Sequence, residues 1–97
     1  MKETKTAAKY KLYKLETTPS KPGLVKVSQE TGYEIAVELW SMPLHSFGAF
    51  ASAIPAPLGI GKIELLDGTE VSGFVCEGYA VRHALDISSF GSWRAFA

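Results

Sequence analysis

Polar and apolar positions alternate along most of this chain, with one interruption where the period lengthens. "KYKLYKLE" (9–16) sets Tyr and Leu among lysines in rough alternation, the two-residue period of a strand with one solvated face. "LVKVSQ" (24–29) repeats the pattern. Between them "TTPSKPG" (17–23) is turn chemistry, with two prolines that fix φ and a glycine free to reverse the chain. "YEIAVELW" (33–40) is the clearest strand, with Tyr33, Ile35, Val37 and Leu39 on one face and Glu34, Ala36, Glu38 and Trp40 on the other. From Leu44 the apolar residues fall at 44, 47, 50, 51 and 54, a helical stripe. Ser41 suits its cap, Pro43 its first turn, and Pro55 and Pro57 end it near Ile54. "KIELLDGTEVSGFVCE" (62–77) predicts a hairpin turning at Asp67-Gly68, with Gly73 at a bulge or a close approach. "YAVRHAL" (79–85) predicts a short helix. Asp86 can cap the next segment, where Phe90, Trp93 and Phe96 are spaced to lie on the core.

These elements predict an α+β fold: a small, mostly antiparallel β-barrel or curled sheet with one main helix and short C-terminal helical segments. Residues 1–7 are polar and expected to fray, leaving 8–97 as a single domain. Composition changes this picture little. With 46% apolar and 21% charged residues the chain is an ordinary globular mixture. Its net charge of zero argues against nucleic-acid binding, yet the charge is unevenly placed. Residues 1–28 hold seven lysines against two glutamates, and the remainder holds eight acids against Lys62, Arg82 and Arg94. A lone Cys76, no apolar run that could span a membrane and no signal-peptide pattern fit a cytoplasmic protein.

Reactive chemistry is sparse. His45 and His83 have no metal spacing with each other or with Cys76, so no metal or cofactor site is expected. Ser88, Ser89 and Ser92 lack a nucleophile elbow. Glu34, Glu38 and Glu77 lie on strands, where an acid on a barrel's inner face could transfer protons. Lys21 and Arg94 are the cations that could meet a carboxylate. The crossover "AIPAPLGIGK" (53–62) joins helix to hairpin. Its prolines hold the chain extended, and Gly59 and Gly61 around Ile60 either expose anion-binding amides or merely let the chain pack. The expected site therefore gathers Lys21, Glu38, Pro57, Gly59, Ile60, Gly61, Glu77 and Arg94 around a small carboxylate ligand.

Three stretches carry a family resemblance: "YKLYKLETTPSKPGLVKV", "VELWSMPLHSFGAFASAIPAPLGIGKIELLDGTEVSGFVCE" and "DISSFGSWRAF". They resemble the C-terminal domain of allophanate hydrolase, from about Thr6 to Phe96. "IPAPLGIG" before an acidic hairpin and "GFVCE", and the terminal "FGSWRAF", are its most specific parts. The resemblance implies a gamma-glutamyl cyclotransferase-like barrel. It implies a place in urea breakdown beside a separate amidase domain with a serine-lysine nucleophile. It also implies that the domain handles the carboxylated carbamate which the amidase releases, with loss of carbon dioxide.

Within that family the domain usually opens with a strand and loop resembling "GAHLxGxPLN", ahead of a T-A-x-x-Y motif that stands here as Thr6, Ala7 and Tyr10. The histidine associated with the family's chemistry lies in that opening segment, which the chain is read as starting after. Amidase activity is not expected, and the enzymatic role stays open. The alternative is a non-catalytic module that docks to an amidase or to itself. A barrel short of a strand would be completed by a second copy, basic front strand against acidic later half, so a homodimer is expected.

Overall fold

The two-residue period of the sequence becomes three antiparallel ribbons, and their corners build the core. The structure, a computed structural model, describes residues 2–97, apart from the side chain of Leu44. In chain order the elements are β1 (Lys2–Lys5), β2 (Tyr10–Leu15), β3 (Lys21–Lys26), β4 (Ala36–Leu39), α1 (Leu44–Ser52), β5 (Leu58–Glu64), β6 (Glu70–Cys76), β7 (Leu85–Asp86) and α2 (Trp93–Phe96). Short 3₁₀ turns occupy 78–81 and 88–90. β1 pairs with β4, β5 with β6, and β2 lies between β3 and β7.

Alternation places Tyr10 and Leu12 of β2 inward, where they meet Leu24, Ile35, Ile63 and Ile87. Val71, Val75, Trp93 and Phe96 cover this cluster, so two of the three terminal aromatics lie on the core, while Phe90 stays 52% exposed and stands edge-on to Phe96. Three side chains fasten the corners. Buried Thr6 accepts a hydrogen bond from Ile35 N–H at 3.0 Å and donates to the Ala7 carbonyl at 2.9 Å. The Tyr10 hydroxyl accepts from Glu64 N–H at 2.8 Å. Buried Ser88 accepts from Leu12 N–H at 2.9 Å and donates to Asp86 Oδ1 at 2.6 Å. Each satisfies a main-chain donor that no ladder reaches.

The sheets do not close into a barrel. The β1–β4 and β5–β6 ribbons meet at one corner, where Thr6 bridges Leu65 and Leu66 N–H reaches Lys5 O. Beyond it they diverge. Residues 2–5 also depart from the expected frayed end: Lys2–Lys5 pairs with Leu39–Ala36 in register. Its sequence, Lys-Glu-Thr-Lys, has no apolar position, so no period announced it. The strand expected at 33–40 shortens to β4, with Tyr33 in a separate bridge to Tyr10. The expected 79–85 helix is a single 3₁₀ turn.

α1 begins after Pro43 with no side-chain cap, not at Ser41, and ends at Ser52. The hairpin turns at Asp67-Gly68 as expected, with Gly68 at φ 89°. The Asp67 carboxylate accepts from Thr69 Oγ1 at 2.7 Å and from Thr69 N–H at 3.0 Å. Gly73 makes no bulge. It sits in an unbroken ladder opposite Gly61, and a Cβ there would lie 2.5 Å from Ile63 Cδ1.

Candidate functional site

Where the two ribbons diverge they leave an open groove of about 1270 Å³. One wall is the continuous stretch Ile35–Met42, and the opposite wall is Glu70–Phe74 with Ile60 and Lys62. The core residues Leu12, Leu24, Ile35 and Ile63 form its floor, and Phe47 and Phe50 of α1 border it. The helical stripe therefore serves the groove, and Phe50 remains 43% exposed. Phe50 stands edge-on to Phe74, with centroids 5.6 Å apart. Beyond this pair lies an apolar niche of about 420 Å³, lined by Lys21, Pro22, Ile54, Pro55 and Leu58 along with the two aromatics.

The cleft brings together some of the residues expected from sequence. Lys21 meets the proline crossover in the niche, a contact of β3 with a segment more than 30 residues on. Glu38 and Ile60 line opposite walls of the groove. Arg94 pairs with Glu38 at 3.1 Å and with Glu3 at 3.8 Å while staying 77% exposed. Such an exposed pair is worth about 0–1 kcal/mol, and it occupies both groups with each other.

Pro57, Gly59, Gly61 and Glu77 do not join the cleft. Gly59 and Gly61 are ladder residues opposite Val75 and Gly73, so their amides form no anion nest. Neither has a positive φ. The Pro57 carbonyl accepts from Glu77 N–H at 3.0 Å, and the Glu77 side chain is exposed. The crossover's glycines thus serve strand pairing: a Cβ at Gly61 would lie 3.0 Å from Val75 Cγ2.

The electrostatics of the cleft are mixed. Lys2 and Lys62 border the groove with Glu38 and Glu70, and among the described residues Lys21 is the one charged residue lining the niche. Elsewhere the front lysines already meet the acidic half within one chain. Glu64 lies 3.0 Å from Lys9 and 3.8 Å from Lys26, and the Lys9 hydrogen bond holds its carboxyl below the usual range against a smaller opposing effect of burial. Asp86 feels burial pushing its pKa up, but hydrogen bonds from Ser88 and the charge of Lys11 outweigh this and leave it lowered.

His45 and His83 are exposed, and Cys76 is buried with its thiol pKa raised by burial and by Glu77. Among the described residues no three His, Cys, Asp or Glu side chains could hold a metal ion together, and no helix is long and apolar enough to cross a membrane. Sequence reasoning missed Trp40, Met42 and Phe74, exposed apolar residues at the cleft. Trp40 on the polar face of its strand, 72% exposed, was the available signal.

Comparison with known proteins gives these features a context. A family profile, "Allophanate hydrolase C-terminal domain", matches residues 1–97. The urea amidolyase of Lachancea kluyveri is 44% identical over 96 residues, covering 95% of this chain. That of Saccharomyces cerevisiae is 41% identical over 97 residues, covering 96%. The match spans only 5% of either relative's length. Allophanate hydrolase of Kluyveromyces lactis superposes with a TM-score of 0.92 at 39% identity, over 99% of this chain and 16% of that one. A uropathogenic E. coli-specific protein, c4763, superposes with a TM-score of 0.87 at 38% identity, over 99% of this chain and 73% of that one. In extent, sequence and shape, this chain belongs to the allophanate hydrolase C-terminal domain family.

Proposed function

We propose that this chain acts in urea nitrogen metabolism as the companion of an allophanate-cleaving amidase. It takes the small carboxylated carbamate that such an amidase releases. The observation that carries this reading is the whole-chain match to the C-terminal part of allophanate hydrolase. Lysines at the cleft support it: Lys21 in the niche and Lys2 and Lys62 in the groove offer cations to a dianion. In the reaction the nitrogen–carboxyl bond breaks, carbon dioxide leaves, and the nitrogen takes a proton to give carbamate.

Malonate, with a methylene in place of the nitrogen, is a stable probe. Titrated into the ¹⁵N-labelled chain, it is expected to shift the amides of Lys21, Ile54 and Leu58, and Lys21→Met abolishes the response. Shifts that survive this substitution, or none at all, would contradict the assignment of the niche. The groove itself favours a second reading. Its mostly apolar lining suits a protein segment better than a small dianion, so docking to the amidase accompanies ligand handling or replaces it.

A further inference from the structure

Apolar side chains line the niche beside the groove, with one exception. Among the described residues Lys21 is its single polar side chain. Lys11 and Lys26 of the same sheet each meet an acid, at 3.6 Å and 3.8 Å, whereas no acid pairs with Lys21 among the described residues. The main chain offers little else. Pro22 and Pro55 have no N–H. The N–H groups of Ala53, Ile54 and Leu58 already donate to the carbonyls of Phe50, Ala51 and Pro55, at 3.2, 3.3 and 3.2 Å. Phe50 and Phe74, edge-on at 5.6 Å, remain 43% and 46% exposed. An apolar body laid between these rings and the prolines would take that surface from water. An apolar cavity of about 150 Å³ is enough for a benzene ring. At about 420 Å³ the niche has room for a ring, a short tether and an anionic head.

We propose that the niche binds a small monocarboxylate with an apolar, ring-sized body. Its head meets the Lys21 ammonium, and its body lies between the prolines, Ile54, Leu58 and the two aromatic rings. One unpaired cation suits one negative charge. A protein segment is the poorer occupant. Each of its residues brings a main-chain donor and acceptor, and Pro22, Ala53, Ile54, Pro55 and Leu58 have no free N–H to return. The proposal goes beyond the carboxylated carbamate, which would compete for the same ammonium but leave the apolar walls uncovered.

Hydrocinnamate, a phenyl ring on a short tether to a carboxylate, is the probe. Titrated into the ¹⁵N-labelled chain, it shifts the amides of Lys21, Ile54, Leu58 and Phe74, and its ring protons show NOEs to the Ile54 and Leu58 methyls. It binds about tenfold or more tightly than propanoate, which lacks the ring, and than hydrocinnamyl alcohol, which lacks the charge. Lys21→Met brings acid and alcohol to equal affinity, and Lys21→Arg does not. Equal affinity for hydrocinnamate and propanoate would mean that the walls add nothing, and would overturn the proposal. So would equal binding of acid and alcohol to the parent chain, shifts confined to other segments, or none. Malonate bound at Lys21 more tightly than hydrocinnamate would overturn it too, and leave the proposed function standing. Hydrocinnamate bound where malonate is not would uphold it, and remove the carboxylated carbamate from the niche.

Discussion

Gly32 is the position where one added carbon should do most harm. A Cβ there would lie 2.5 Å from Lys9 Cα, 2.6 Å from the Ala8 carbonyl oxygen and 2.7 Å from Lys9 C. All three are main-chain atoms, which cannot swing aside like a side-chain tip. The contact seats the 28–33 turn on the start of β2, where Tyr33 N–H donates to Tyr10 O at 2.7 Å and Val27 N–H to Lys9 O at 2.6 Å. Gly32→Ala must push the turn away. Overpacking costs about 1–3 kcal/mol. A weakened Tyr33 hydrogen bond adds about 1 kcal/mol. Loss of backbone freedom in the unfolded chain returns about 0.4–1 kcal/mol. The net is a destabilisation of about 1–3 kcal/mol, or roughly 4–8 °C of Tm for each kcal/mol in a domain of this size. Gly59→Ala is the matched control. Nothing lies within 4 Å of its Cβ position and its φ is not positive, so it should be neutral or slightly stabilising. Thermal unfolding followed by circular dichroism compares them. Equal midpoints for Gly32→Ala and the parent, or an equal fall for both variants, would refute the packing argument.

Three further expectations follow from the corners and the core. Ser88→Ala strands the Leu12 N–H in the interior and should cost about 1–3 kcal/mol, read by urea unfolding. The carboxyls of Glu64 and Asp86 have folded pKa values below their unfolded ones, so the stability they add is present above about pH 4 and is lost as pH falls through the folded values. Glu64→Gln should therefore narrow the stability difference between neutral and acid solution, and an unchanged difference would contradict the Lys9 and Lys26 pairing. Cys76, buried with a raised thiol pKa, should react slowly with a thiol reagent at neutral pH and promptly once the chain unfolds; equal rates would contradict its burial.

Strands with alternating character were legible in the sequence because period two reports burial directly. β2, β6 and the turn at Asp67-Gly68 lie near their expected places, whereas β3 begins at Lys21, inside the expected turn, and β5 at Leu58, inside the expected crossover. β1 was illegible because both of its faces are polar and its stability comes from pairing with β4, 34 positions away at its centre. α1 was located by its stripe, but that the stripe borders a groove was not legible. An apolar face says only that water is to be excluded, not what excludes it.

For the site, Lys21 and Glu38 were chosen for their charge, and the cleft includes both. Gly59 and Gly61 were chosen for backbone freedom, which here serves the β5–β6 ladder, since pairing registers are not written in single residues. The unequal charge of the two halves was visible, and it set how two copies, expected from a barrel short of a strand, would meet. Within one chain, Glu64 already draws Lys9 and Lys26.

The proposed activity of this chain acts on what an allophanate-cleaving amidase releases. The most direct measurement supplies ¹³C-labelled allophanate to the amidase part of an allophanate hydrolase and follows the products by ¹³C NMR, with and without this chain. The carboxylated carbamate is expected to accumulate with the amidase alone. Adding the chain clears it faster, releasing labelled carbon dioxide, and Lys21→Met weakens the effect. Identical time courses with and without the chain, at matched amidase activity, would contradict it.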